Sequence, residues 1–117
     1  DIFRVLHPFL SDLQTEEFWA IFLNQKNKIL HKTRLTSGGI SQSLVDIRIL
    51  FKMALEHFSV GIIIAHNHPS GSVKPSQEDL NITKKINEAA KIMNIALLDH
   101  VIIAQNSYFS FADEGIF

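Results

Sequence analysis

The residues best suited to chemistry are concentrated in one segment, residues 66–79, which reads HNHPSGSVKPSQED. Two histidines in it, His66 and His68, are separated by a single residue. Side chains at positions i and i+2 of an extended backbone point to the same face, so both imidazoles can reach one ion. Because the chain has no cysteine, a transition metal here would need histidine and carboxylate ligands.

Asp79 is the candidate third ligand. It follows a loop in which Pro69, Gly71 and Pro75 restrict the path of the chain back toward the histidines. Two histidines and one carboxylate leave a coordination position of zinc open for water, as a hydrolytic site requires. A structural alternative is a helix start, because Ser76 and Asp79 have the S-x-x-[DE] spacing of a capping box. Metal binding and capping would then compete for one carboxylate.

Hydrolysis of an amide also needs a base that takes a proton from water and gives it to the leaving amine. Glu16 and Glu17 are the candidates, since they directly precede the first apolar run. Alternation along a strand lets only one of them face the site, and a register slip of one residue would exchange them. Ser76 could donate to the developing oxyanion, aided by the positive end of the helix that it begins.

The elements that must position these residues alternate between strands and helices, which predicts an α/β fold in the order β, β, α, β, α, β, β. The central strand is a continuous apolar run, as expected for a strand covered on both faces, and a loop is predicted to begin at His66. Strands are predicted over residues 18–23, 29–37, 60–65, 95–98, 101–104 and 108–111, the fourth and fifth forming one long or two short strands. Helices are predicted over residues 46–57 and from 76 to about 93.

Asp99 and His100 interrupt the last apolar stretch. We expect a turn or a strand crossing there; the alternative is a buried pair that supports the metal ligands from behind. Three other histidines, His7, His31 and His57, are predicted to be non-catalytic.

Composition limits the function classes. With 117 residues, of which 46% are hydrophobic, the chain is expected to form a single domain over residues 1–117. A net charge of -1 lacks the basic excess of a dedicated nucleic-acid binder. No apolar run approaches the roughly 20 residues of a membrane span, and the absence of cysteine fits a cytoplasmic protein. The start at Asp1, without a signal pattern, suggests a piece of a longer protein.

The central segment resembles a known motif. His66-Asn67-His68-Pro69-Ser70-Gly71, followed by Ser76-x-x-Asp79, is similar to the JAMM metal-binding motif of JAB/MPN domains, in the variant of bacterial RadC-like proteins. Weaker likeness extends over Glu16-Glu17-Phe18, Phe22-Leu23-Asn24, Arg48, Asp99-His100-Val101-Ile102 and Ser110-Phe111.

This resemblance implies a mixed sheet flanked by helices, similar to cytidine deaminase, and a zinc-dependent peptidase or isopeptidase acting on a peptide or protein. It implies that His66, His68 and Asp79 bind zinc. Glu16 would hold and deprotonate the water, because the family pattern resembles Glu-x-Phe with Phe18 as its Phe, and Ser76 would assist the tetrahedral intermediate. The resemblance also implies that the chain is the C-terminal part of a longer protein with an upstream helix-hairpin-helix segment.

One position departs from the isopeptidase branch, which carries Ser or Thr between the two histidines where this chain has Asn67. The different reach of Asn predicts an intact metal site beside a different docking surface. The rival hypothesis is a non-catalytic DNA-repair or interaction module that binds DNA or protein partners. Its discriminating feature would be a contiguous basic surface around the first hairpin, built from Lys26, Lys28, Lys32 and Arg34.

Overall fold

The computed structural model describes residues 2–10, 16–37 and 45–117 of the chain. The described part contains helices and strands in alternation, as expected of an α/β fold. In chain order the elements are α1 (Ile2–Leu10), β1 (Glu17–Leu23), β2 (Ile29–Ser37), α2 (Ile47–Glu56), β3 (Gly61–Asn67), α3 (Gln77–Met93), β4 (Ala96–Ile103) and β5 (Tyr108–Ser110).

The strands form one mixed five-stranded sheet in the order β2-β1-β3-β4-β5. β3 and β4 are parallel and are joined through α3, whereas the other neighbouring pairs are antiparallel. All seven residues of β3 are buried, which explains why this strand reads as an uninterrupted apolar run in the sequence. The predicted α/β class with a mixed sheet flanked by helices is confirmed.

Helices cover both faces of the sheet. On one face, α2 and α3 contribute Leu50, Phe51 and Ile86 to a core that also includes Phe22 and Ile64 of the strands. The opposite face carries a second core, in which Leu6 and Leu10 of α1 pack with Ile21, Ile63 and Val101. Alternation along β1 and β3 therefore assigns successive residues to different cores, and this parity also decides which polar residues meet.

Helix α1 is absent from the predicted order β, β, α, β, α, β, β, so that order is wrong at its beginning. The helix is short, and Pro8 within it has no N–H to donate, which weakens the helical signal. It packs on the sheet through the buried pair Leu6 and Leu10, one helical turn apart.

Two strand predictions also need correction. His66 and Asn67 do not begin a loop but continue β3, where they pair with Ile102 and Ile103 of β4. The expected turn at Asp99 and His100 is likewise wrong, because β4 runs unbroken through both residues. The polar pair is tolerated inside the strand because each side chain has a specific partner there.

Among the described residues, no helix is long and apolar enough to cross a bilayer.

Candidate metal centre

The polar residues singled out by the sequence converge at one edge of the sheet. His66 lies at the end of β3, Asp79 lies in the first turn of α3, and Glu16 directly precedes β1. β1 and β3 are antiparallel neighbours, with Phe18 paired to His66, so the start of β1 and the end of β3 meet. The parallel crossover from β3 to β4 then brings the start of α3 above the same edge.

The two histidines point into the same space. Their Nε2 atoms are 2.9 Å apart, as expected for side chains two residues apart on extended backbone. His66 is fully buried, and its ring stacks on Phe18 at a centroid distance of 5.6 Å. His68 is partly exposed, with its Nδ1 2.8 Å from the carbonyl oxygen of Ser72.

The carboxylate of Asp79 faces both rings. Its Oδ1 lies 3.2 Å from Nε2 of His66, and its Oδ2 lies 3.4 Å from Nε2 of His68. Oδ2 also accepts a hydrogen bond of 2.8 Å from the backbone N–H of Ser76. Oδ1 accepts none, although the side chain is only 1% exposed. An orphaned buried carboxylate oxygen is costly unless a cation or a proton compensates it, so this atom points to a missing cationic partner.

The capping box and the convergence on the histidines therefore coexist. The Ser76 hydroxyl accepts from the Asp79 N–H at 3.0 Å, and the Asp79 carboxylate accepts from the Ser76 N–H. The expected competition for the carboxylate is avoided because the cap uses Oδ2 and leaves Oδ1 directed at His66.

Electrostatics at the site favour a negative Asp79. Burial by itself would raise the pKa of this carboxyl, but the imidazoles of His66 and His68 lower it more, and the net pKa is well below its usual range. The neighbouring Asp79 carboxylate raises the pKa of His68, against the opposing effect of burial. Burial, helped by the nearby His66, lowers the pKa of His100 well below its usual value.

His68 presents a lone pair to this cluster when it is neutral. The Ser72 carbonyl can only accept, so Nδ1 of His68 carries the hydrogen and Nε2 is left bare. Ligating atoms of Glu16, His66 and His68 also lie within 4.8 Å of one another, an arrangement that could hold a metal ion. The carboxylates of Glu16 and Asp79 thus both approach the imidazole of His66.

The two candidate bases are separated by strand parity. Glu16 lies on the same face as Phe18 and His66, with its Oε1 3.8 Å from Nε2 of His66. Glu17 turns away, where it accepts from the Trp19 indole N–H at 2.9 Å and pairs with Arg34 at 3.4 Å. Glu16, with 27% of its side chain exposed, therefore sits between the cluster and solvent.

Asn67 holds the segment that carries Glu16. Its side-chain oxygen accepts a 2.6 Å hydrogen bond from the backbone N–H of Glu17, and the residue is 1% exposed. The residue that departs from the isopeptidase pattern thus ties the start of β1 to the end of β3, one residue from the candidate base.

Replacing Ser76 by alanine is expected to lower the free energy of unfolding of the metal-free chain by about 0.5–2 kcal/mol, the usual cost of losing an N-cap side chain. The reason is that the Asp79 N–H would lose its acceptor at the start of α3. Urea unfolding in the presence of a chelator measures this. Ser76→Thr, which keeps a capping hydroxyl, should lose less, and equal losses in the two variants would contradict the capping role.

The metal-free chain is also expected to lose stability as the pH rises through the raised pKa of His68. A group whose pKa is higher in the folded chain stabilises fully below its unfolded pKa of about 6.5, and this contribution disappears above the folded pKa. Urea unfolding at several pH values from about 6 to about 9 checks this window. This fall in stability should be absent in His68→Gln, and an unchanged fall there would assign the effect to another group.

Two residues behind His66 were missed or underestimated in the sequence. His100 Nε2 lies 2.8 Å from Nδ1 of His66, and Thr83 Oγ1 lies 2.5 Å from Nδ1 of His100. Of the alternative buried Asp–His pair, only His100 contacts His66. Asp99 instead accepts hydrogen bonds from Ser110 Oγ and the Ala112 N–H. The available signal for Thr83 is its position one helical turn after Asp79 on the buried face of α3.

Comparison with known proteins agrees with this architecture. The model of the family described as "RadC-like JAB domain" matches residues 1–116. The chain is 49% identical over 117 residues to a "UPF0758 protein" of Flavobacterium johnsoniae, covering 100% of this chain and 51% of the relative. It is 44% identical over 115 residues to a "UPF0758 protein" of Porphyromonas gingivalis, covering 97% of this chain and 51% of that relative. A third similar protein, from Listeria innocua, is 43% identical over 117 residues, covering 100% of this chain and 52% of the relative. The chain thus spans about half the length of these curated relatives.

Proposed function

Because the chain belongs to the RadC-like JAB domain family, we propose that it is a zinc-dependent hydrolase that cleaves an amide bond in a peptide or protein, of the JAMM peptidase or isopeptidase type. The single observation that supports this proposal most strongly is the orphaned Oδ1 of Asp79. It is buried 3.2 Å from Nε2 of His66 and accepts no hydrogen bond.

The residues fit zinc in number, type and spacing. Zinc bonds of about 2.0–2.2 Å in a tetrahedron place neighbouring ligand atoms roughly 3.3–3.5 Å apart. The two Nε2 atoms are 2.9 Å apart here, and Oδ1 of Asp79 lies 3.2 Å from Nε2 of His66, so small side-chain movements suffice. His66, His68 and Asp79 would hold the ion, and a set of two histidines and one carboxylate leaves an open position.

Glu16 is assigned to proton transfer and not to metal binding. Asp79 is almost fully buried and lies within 3.4 Å of both ring nitrogens, as a ligand should. Glu16 is farther from His66, at 3.8 Å, and more exposed, so it can reach water on the open side of the site. A carboxylate there meets the geometric requirement for a general base, which is reach to the proton that it removes.

The division of chemistry follows from these positions. When bound, zinc lowers the pKa of water to about 7 and polarises a carbonyl group. Glu16 takes a proton from the attacking water and gives it to the nitrogen of the leaving amine, which completes hydrolysis to a carboxylate and an amine. The Ser76 hydroxyl accepts from the Asp79 N–H and can still donate its own hydrogen to the developing oxyanion.

The purified chain tests this proposal directly. We expect close to one zinc per chain by elemental analysis, cleavage of members of a library of peptide amides and lysine isopeptides, and loss of cleavage with a chelator. Zinc addition should restore it. A chain that binds no zinc after reconstitution would contradict the proposal.

A nucleic-acid-binding module has less support. Arg34 is paired with Glu17, which reduces the positive charge of the hairpin. Lys26 and Lys28 follow the end of β1 that is remote from Glu16, at a distance of roughly 20 Å for a seven-residue strand. This alternative would be favoured by DNA binding whose affinity falls steeply with salt and does not change in Asp79→Asn.

A further inference from the structure

We propose that Thr83 and His100 are positioning residues that fix the tautomer of His66, so that its Nε2 always presents a lone pair to the metal position. The benefit to metal binding rests on the proposed function. The direction of the hydrogen bonds, however, is a property of the metal-free chain and can be measured without zinc.

The direction is set at Thr83. Its hydroxyl oxygen lies 2.6 Å from the backbone carbonyl oxygen of Asp79 and 2.5 Å from Nδ1 of His100. A carbonyl only accepts, and a hydroxyl has a single hydrogen, so Thr83 donates to Asp79. The bond to His100 must then run the other way, with the His100 Nδ1–H as donor.

The direction of the bond between Thr83 and His100 also determines the direction of the bond between His100 and His66. His100 is fully buried, and neither partner of its ring nitrogens, Thr83 or His66, is a carboxylate, so the neutral ring is the favoured form. With its hydrogen on Nδ1, His100 has only a lone pair on Nε2, which lies 2.8 Å from Nδ1 of His66. His66 therefore donates from Nδ1 and keeps Nε2 free of hydrogen.

The surroundings preserve this arrangement. Phe111 stacks on the His100 ring at 4.5 Å, and the edge of Phe18 contacts it at 5.7 Å. Thr83 is 3% exposed and His66 is fully buried, so water has little access to the chain of bonds. A hydrogen-bond partner that orients a metal-binding histidine in this way typically contributes about 10–100-fold to metal affinity.

An opposing interaction makes the role of Thr83 specific. In the metal-free chain, a hydrogen on Nε2 of His66 would gain a bond to Asp79 Oδ1, 3.2 Å away. In this tautomer the hydrogen bonds between His66 and His100 and between His100 and Thr83 would both run in the opposite direction. The Thr83 hydroxyl would then donate to His100 and no longer to the Asp79 carbonyl. Without the Thr83 hydroxyl, the reversed tautomer becomes the better one, because nothing then accepts from Nδ1 of His100.

Nitrogen NMR of the metal-free chain at alkaline pH tests the direction. In the wild type, His66 and His100 should both carry hydrogen on Nδ1 and be bare on Nε2. Thr83→Val, which keeps the shape but removes the hydroxyl, should move both hydrogens to Nε2. Thr83→Ser, which keeps the hydroxyl, should retain the wild-type tautomers. A wild-type spectrum with hydrogen on Nε2 of His66 overturns the proposal, as does a folded Thr83→Val chain with unchanged tautomers.

Zinc titration against a chelator then measures the benefit. Thr83→Val should bind zinc about 10–100-fold more weakly, and Thr83→Ser should remain close to the wild type. Unchanged affinity in Thr83→Val overturns the positioning role. If the wild type binds no zinc but shows the expected tautomers, the proposed function fails while the hydrogen-bond direction stands. If Thr83→Val does not fold, the wild-type spectrum and the Thr83→Ser titration decide.

Discussion

Changing Asp79 to asparagine is expected to weaken zinc binding by more than about 100-fold, beyond the range typical of residues that only support a ligand. The amide oxygen of asparagine can still accept from the Ser76 N–H, so the start of α3 is kept. The amide NH2 group cannot ligate zinc, and the negative charge that faces His66 and His68 is lost. Chelator competition on the purified variant measures the affinity, and circular dichroism checks the fold.

The matched control for Asp79→Asn is Ser76→Ala. This variant loses the capping hydroxyl but keeps the carboxylate, so it should be less stable while retaining most of the zinc affinity. If the two variants bind zinc equally well, Asp79 acts only as a cap and the metal centre as described is wrong.

Glu16→Gln is expected to retain zinc but to lower kcat by about 100- to 10,000-fold, the usual contribution of a general acid-base residue. Glutamine is nearly isosteric and keeps a polar group 3.8 Å from His66, but it cannot accept a proton from water at neutral pH. Single-turnover and steady-state rates on a substrate identified from the library measure the loss. Zinc content should match the wild type.

Glu17→Gln is the control for this prediction, since it is the adjacent acidic residue on the opposite face. It should lose its pairing with Arg34 and leave kcat within a few-fold of the wild type. Loss of zinc in Glu16→Gln would instead identify Glu16 as a ligand, since ligating atoms of Glu16, His66 and His68 lie within 4.8 Å of one another. Equal rates for Glu16→Gln and the wild type would exclude it as the base.

Local patterns were sufficient to predict that His66, His68 and Asp79 lie together. The spacing of His66 and His68 predicts that they share a face wherever the backbone is extended, and the spacing of Ser76 and Asp79 predicts a helix start. Both predictions depend on a short segment of sequence. The resemblance to a Glu-x-Phe pattern favoured Glu16 over Glu17, whereas a physical reason for this choice required the register of β1 against β3, which places Phe18 opposite His66. The sequence of β1 alone does not show how this strand pairs with β3.

Features that depend on distant partners were not predictable in this way. His100 lies 34 residues from His66 in the sequence, and a polar pair within an apolar run looks the same whether it turns the chain or is buried. Helix α1 was not predicted because it has few buried residues, and these are recognisable only from their packing on the sheet, on the face opposite α2 and α3. The dual use of the Asp79 carboxylate was also hidden, since a sequence does not show that each oxygen can face a different partner.

The aromatic walls around His100 have one more consequence. With Phe111 stacked on one face and Phe18 packed against it, this fully buried ring can exchange its hydrogen with solvent only when the structure around it opens. Its lifetime in heavy water therefore records how often that part of the molecule opens, in the way that slowly exchanging amides do elsewhere. The exchange rate of a single imidazole proton would thus measure local unfolding next to His66.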